Sequence, residues 1–228
     1  MCGRFTLQHD ARVYADWFEV DVVKVDDLPP NYNVAPTDEV YAVAEHEGER
    51  RLGTFRWGLL PWWAKDRKMA ARHINARAET LAGKPAFKDS FARKRCLIPA
   101  DGFYEWERIP DQGKLPHYIF DPAGHPLAFA GLWSSWHDPG SGERLTTCAI
   151  VTGPPDETVR PLHDRMPVML RRADWAAWLD PDNGDLAGLQ RMLLRHEGPR
   201  LAEHPVSTIV NDVRNNLAEN LVPLRPGT

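Results

Sequence analysis

Residues 96–109 read CLIPADGFYEWERI. Apolar and aromatic side chains fill both halves, and the step Ala100–Gly102 between them carries turn residues. The stretch therefore reads as two strand segments around a turn. Working outward, HYIFDPAGHPLAFAGLW (117–133) resembles a hairpin turning at Pro122–Gly124, and RLTTCAIVT (144–152) is a strand rich in β-branched residues. Toward the N-terminus, EVYAVAEHE (39–47) and RLGTFRWGLL (51–60) read as strands separated by the turn residues HEGE, and GRFTL (3–7) as a short strand. Helical spacing marks ARVYADWF (11–18), with Val13, Trp17 and Phe18 on one face, as well as NARAETLAG (75–83), PAFKDSFARKR (85–95), ADWAAWL (173–179) and DLAGLQRMLLRH (185–196). Residues 26–37, DDLPPNYNVAPT, predict a loop without regular structure, and PWWAKDRKMA (61–70) an aromatic-basic loop. Irregularly spaced strands with interspersed helices predict an α+β fold with a mainly antiparallel sheet. Regular βα alternation is missing, which counts against a doubly wound fold.

The chain has 228 residues, 43% hydrophobic and 26% charged, enough for one substantial core and one domain. No run of about 18 apolar residues predicts a membrane span. The opening MCGRFTLQHD lacks a basic region followed by an apolar one, so no signal peptide is expected and a cytoplasmic location is. Three cysteines, Cys2, Cys96 and Cys148, do not suggest a disulfide framework. Cys96 and Cys148 lie in apolar runs and read as small core residues. The net charge of −4 argues against a globally basic nucleic-acid binder, yet much of the basic charge precedes residue 100 while acidic residues cluster at 16–27, 38–49 and 174–185. Despite nine histidines there is no CxxC, HxxxH or HExxH spacing, so no metal ligand set and no cofactor is expected.

Cys2 is singular for a covalent reason. Removal of Met1 would leave an α-amine and a thiol on adjacent carbons, with reference pKa values of about 7.7–8.0 and about 8.5. Such a pair is expected to act as an exposed amino-thiol nucleophile. The amine can condense with an aldehyde, and the thiol can close the imine into a five-membered thiazolidine. An internal cysteine, whose nitrogen is an amide, cannot. On position alone, an ordinary buried cysteine is the commoner outcome.

Other residues add chemistry. Glu105, between Tyr104 and Trp106, can project into a cleft, where desolvation raises a carboxyl pKa and suits it to proton transfer. His163 in LHDRMP titrates nearest neutral pH, and Asn75 in NARAET can hydrogen-bond a tetrahedral centre. An exposed glutamate, a surface histidine and a turn asparagine are the plain alternatives. Trp62, Trp63 and Trp106 can stack on bases, and Arg4, Arg77 and Arg165 can hold phosphates. Trp57 reads as packing. Trp62 and Trp63, adjacent after Pro61, cannot easily both be buried.

Seven segments in order resemble the SRAP family, the SOS response-associated peptidase or abasic-site processing proteins. They are MCGRF (1–5), NYNVAP (31–36), WGLLPWWAKD (57–66), NARAET (75–80), RCLIPADGFYEW (95–106), FAGLW (129–133), and CAIVTGPP (148–155) with LHDRMPVML (162–170). The resemblance implies a β-rich α+β domain over residues 1–222, with a partly barrel-like, mainly antiparallel sheet core and peripheral helices, while two prolines and a glycine after Val222 predict a frayed tail at 223–228. It implies covalent crosslinking to abasic sites in single-stranded DNA by a monomer that joins the nucleoid on DNA. By matching position, Cys2 would be the nucleophile and Asn75, Glu105 and His163 its partners. Arg4, Asn33, Trp62, Trp63, Arg77, Trp106, Thr152 and Arg165 would contact DNA or line the site. The family name also implies self-processing at Met1, for which Glu105 is a candidate. The residues alone leave another reading open. Class II glutamine amidotransferases also begin with MCG and use the cysteine's own amine as base.

Overall fold

The computed structural model describes residues 2–111, 113–195 and 197–224. In chain order the elements are β1 (Phe5–Leu7), α1 (Ala11–Trp17), β2 (Val22–Val23), β3 (Asn31–Val34), β4 (Glu39–His46), β5 (Glu49–Trp57), β6 (Asn75–Arg77), α2 (Lys88–Arg93), β7 (Arg95–Ala100), β8 (Gly102–Ile109), β9 (Gly113–Phe120), β10 (Leu127–His137), β11 (Arg144–Gly153), β12 (Met166–Pro167), α3 (Arg172–Leu179), α4 (Leu186–Leu193) and β13 (Ala202–Pro205). Short 3-10 turns span Arg67–Arg72, Thr208–Asn211 and Ala218–Leu221.

Five strands close on themselves. β10 pairs with both β7 and β11, β7 meets β4 at Leu97 and Val43, and β4 forms a hairpin with β5. Its turn residues Glu47 and Gly48 have φ of 56° and 78°, the twist that suits a tight hairpin. β5 then returns alongside β11 in parallel, Arg56 opposite Thr147 and Trp57 opposite Cys148. The ring β11–β10–β7–β4–β5 has no free edge along that path. A second sheet, ordered β13–β9–β8–β1–β3, packs beside it. Phe5 of β1 meets Trp57 and Phe129 edge-on with ring centroids 5.1 and 6.0 Å apart, and Phe103 meets Phe129 at 5.9 Å. This aromatic cluster ties the second sheet to the barrel and so fixes where β1 begins.

Arg95 is buried at the foot of the barrel. Its guanidinium donates to the carbonyls of Phe91, Ala92 and Trp178, each at 2.7 Å, and to that of Asp180. Those carbonyls end α2 and α3, where no intrahelical donor remains, so one cation satisfies two helix C-termini.

The α+β class with a barrel-like core is as the sequence predicts, and several local expectations are corrected. Residues 26–37 are not all irregular: Pro29, Pro30 and Pro36 bound β3 rather than exclude it, and β3 pairs with β1 as an edge strand. NARAETLAG is not a helix. Asn75–Arg77 is recruited as β6 by the open side of β11, and turns follow. Residues 117–133 turn as expected but form no hairpin, because both edges of β9 are taken by β8 and β13 while β10 belongs to the barrel. At α1, Trp17 packs against the core and Phe18, its C-cap, is buried as expected, but Val13 is exposed, and Ala11, Tyr14 and Ala15 complete the buried face, with the Tyr14 hydroxyl 2.5 Å from Asp101 Oδ2. Beyond Val222, Pro223 bridges to Val206 and the Leu224 amide donates to Pro205 O, while 225–228 lie outside the described residues. No helix among the described residues is long and apolar enough to cross a membrane.

Candidate active site

Three pieces of backbone meet at one end of the barrel. The first is the start of β1, carrying Cys2 and Arg4. The second is the middle of β8. The third is the far end of β11, with β6 on one side and β12 on the other: Thr152 lies opposite both Arg77 and Pro167.

β8 alternates. Tyr104 and Trp106 pack into a small cluster with Tyr118, Val206 and Val210, so Phe103 and Glu105 share the opposite, barrel-side face. Glu105 is 3% exposed, and burial pushes its carboxyl up to about 7, with the Asp164 charge adding to the effect. Cys2 is 0% exposed, and burial pushes its thiol far above the usual range; the charge of nearby Glu105 adds to the rise. The expectation of an exposed thiol with a reactive fraction near neutral pH is therefore corrected. In the chain that retains Met1, the Cys2 nitrogen is an amide and its thiol is neutral. The Cys2 Sγ lies 3.7 Å from Arg4 O, and Asn75 Nδ2 donates to Cys2 O at 2.7 Å. Asn75 Oδ1 is buried with no hydrogen-bond partner among the described residues. Leaving such an acceptor unmet costs about 1–3 kcal/mol.

His163 is half-buried, and burial lowers its pKa below the ordinary value. Its Nδ1 is 3.0 Å from the Arg165 amide nitrogen and 2.8 Å from Asp164 Oδ1. Nδ1 thus faces an N–H donor on one side and a carboxylate acceptor on the other. Arg165 is already held: its guanidinium donates to both Glu79 oxygens, at 3.0 and 2.9 Å, and to Thr152 O at 2.7 Å. Glu79 belongs to NARAET but was assigned no role by sequence reasoning; its side chain is what orients Arg165.

The other predicted residues divide into two sets. Arg77, Trp62 and Trp63 are exposed, Trp62 by 70%, with its indole N–H 3.3 Å from Asp89 Oδ2. Trp57, expected in the core, is fully buried there, as are Cys96 and Cys148. Arg4, Asn33 and Trp106 instead engage the chain's own C-terminal segment. Arg4 Nη1 donates to Asn33 Oδ1 at 2.7 Å and Val210 O at 2.9 Å. Trp106 Nε1 donates to Asn211 Oδ1 at 2.8 Å. Residues 207–216 were not singled out from sequence; their asparagines (Asn211, Asn215, Asn216) are the only signal they carry. Thr152 is fully buried, and no cluster among the described residues is placed to hold a metal ion.

The family model described as SOS response associated peptidase (SRAP) matches residues 1–213. The chain belongs to the SRAP family. Among SRAP relatives, the abasic site processing protein YoqW of Bacillus subtilis is 41% identical over 96% of this chain and 98% of its own length. The abasic site processing protein HMCES of Xenopus tropicalis is 33% identical, over 91% of this chain and 69% of its own. A protein from Bacteroides thetaiotaomicron of solved structure shares the SRAP architecture at a TM-score of 0.85, with 21% identity over 98% of this chain and all of its own.

Proposed function

We propose that this protein processes abasic sites by capturing them covalently in single-stranded DNA through Cys2 once Met1 is removed. The observation that carries the reading is the shared burial of Cys2 and Glu105 beside Asn75. A carboxyl at about 7 is half protonated near neutral pH and can both give and take a proton. The names of the relatives, abasic site processing proteins, support the choice of electrophile.

Removing Met1 converts the Cys2 amide to an amine. The orphaned Asn75 Oδ1 is suited to accept one of its N–H bonds, while Asn75 Nδ2 holds the Cys2 carbonyl. The ring-opened sugar presents an aldehyde at C1′. His163, an imidazole whose unperturbed pKa lies nearest neutral pH, is suited to protonate the sugar ring oxygen as it opens. The amine adds to C1′, Glu105 protonates the departing hydroxyl of the carbinolamine, and water leaves to give an iminium that keeps its N–H. Glu105, now a carboxylate, takes the thiol proton as sulfur adds to the iminium carbon, which leaves the ring nitrogen neutral. Amine, thiol and aldehyde give thiazolidine and water. Burial disfavours a free thiolate, so proton removal coupled to attack suits this site better than a preformed anion. The exposed Arg77, Trp62 and Trp63 supply a phosphate partner and stacking faces.

The test is a denaturing gel of the processed protein with an oligonucleotide carrying one abasic site. A heat-stable adduct is expected from the parent chain and none from Cys2→Ala. An adduct of undiminished yield from Cys2→Ala would end the proposal, and ammonia release from glutamine would favour an amidotransferase.

A further inference from the structure

Residues 207–216 have little of their own to hold them in place. Their only regular structure is the 3-10 turn Thr208–Asn211. Val210 is buried against Tyr104, Tyr118 and Val206, but Ile209 and Val213 are exposed. Such a segment is fixed mainly by whatever satisfies its backbone. Asn215 Nδ2 donates to Ile209 O at 2.8 Å and Asn220 Nδ2 to Asn215 O at 2.6 Å, and the remaining side-chain donors to these carbonyls come from the site strands. Arg4 serves Val210 O and reaches Asn211 O at 3.4 Å. Asn33, 2% exposed, directs Nδ2 at three carbonyls, Val210 (3.2 Å), Asp212 (3.0 Å) and Asn215 (3.0 Å). Arg4 Nη1 also holds Asn33 Oδ1 at 2.7 Å, which orients that amide toward the segment.

The same residue locates the nucleophile. The Arg4 carbonyl accepts from the Tyr104 amide at 3.0 Å and from the Cys2 thiol at 3.7 Å. Backbone and side chain of Arg4 thus join Cys2, β8 and the C-terminal segment in one polar knot. A guanidinium used this way has its donors turned inward, in contrast to Arg77.

We propose that Arg4 and Asn33 are positioning residues rather than DNA ligands: together they latch residues 207–216 onto the strands that lead from Cys2, and the latched segment braces the start of β1. The inference builds on the proposed capture reaction, but the latch can be read without DNA. Release of the latch frees the start of β1, and the Cys2 amine loses its fixed approach to the aldehyde.

Two measurements on Arg4→Ala, Arg4→Lys and Asn33→Ala test this, each variant first checked for a cooperative melt. Hydrogen exchange of the free protein should show amides of residues 207–216 exchanging at least tenfold faster in all three. The rate of adduct formation should fall at least tenfold in all three, while the slope of log affinity against log salt stays that of the parent. Arg77→Ala is the reference for a phosphate contact and should lower that slope by about one. The contrary result is also defined. If Arg4→Ala lowers the slope by about one, Arg4→Lys restores parental crosslinking, and exchange at 207–216 is unchanged, Arg4 is a phosphate ligand. Parental exchange in Asn33→Ala also overturns the latch. If the parent forms no adduct, the capture reading fails, and the exchange arm still decides the latch.

Discussion

The arginines of this site and its acidic-thiol corner are built on opposite terms. Around Cys2 and Glu105, burial disfavours the charged form of both groups. Nearby, the Arg4 guanidinium is bound to carbonyls and that of Arg165 to a carbonyl and a carboxylate, while Arg77 faces solvent. Desolvation is thus concentrated at the groups proposed to move protons, while exposed fixed charge lies at Arg77. One strand links the two: β6 begins at Asn75, which donates to the Cys2 carbonyl, and ends at Arg77 on the surface. Parallel pairing with β11 sets that spacing.

The sharpest way to break the contrast is to remove the nucleophile or block its amine. Cys2→Ala, or a chain with an extra residue retained ahead of Cys2, is expected to form no adduct on a denaturing gel, with a melt like that of the parent.

Next in size is Glu105→Gln. Its crosslinking rate is expected to fall by about 10²-fold to 10⁴-fold, the usual worth of a general acid–base group. Stability should move the other way. A carboxyl raised from 4.5 to about 7 binds its proton more tightly in the folded chain, so the parent loses stability as pH rises through that window and stays penalised above it. The gain from glutamine is therefore absent at pH 4 and reaches about 3 kcal/mol at pH 8. Thermal melts at the two pH values check it; equal shifts at both would mean Glu105 is not desolvated.

How much of this contrast was legible in the sequence depends on the residue. Cys2 was legible because adjacency to Met1 is covalent information, and Glu105 because alternation along GFYEW sets its face apart from Tyr104 and Trp106. The burial of Cys2 was not, since it depends on β8 and β6 closing over it from distant parts of the chain. β6 itself was misread as helix because Ala76, Ala78 and Leu81 fit either period, and only the open side of β11 decides. The commitment of Arg4 and Asn33 was invisible for a similar reason: their partners lie more than 170 residues away. Arginine in sequence reads as a phosphate ligand until its acceptors are known.

Smaller effects sharpen the charged side. Trp62→Ala removes an exposed stacking face and should weaken binding to an undamaged single strand by about 1–3 kcal/mol, measured by fluorescence titration. Arg77→Ala should weaken it by less at physiological salt and reduce the salt slope by about one. Glu79→Gln leaves the Arg165 guanidinium with Thr152 O as its main acceptor, and should slow crosslinking a few-fold without altering the salt slope.

The central claim is that amine and thiol of Cys2 together trap an aldehyde. Intact mass spectrometry after mixing the protein with an abasic oligonucleotide tests it most directly. The account predicts one species whose mass equals the protein without Met1 plus the oligonucleotide minus one water, stable to borohydride because no imine remains. A species that retains Met1, or an adduct whose mass rises by two hydrogens on borohydride treatment, would contradict it.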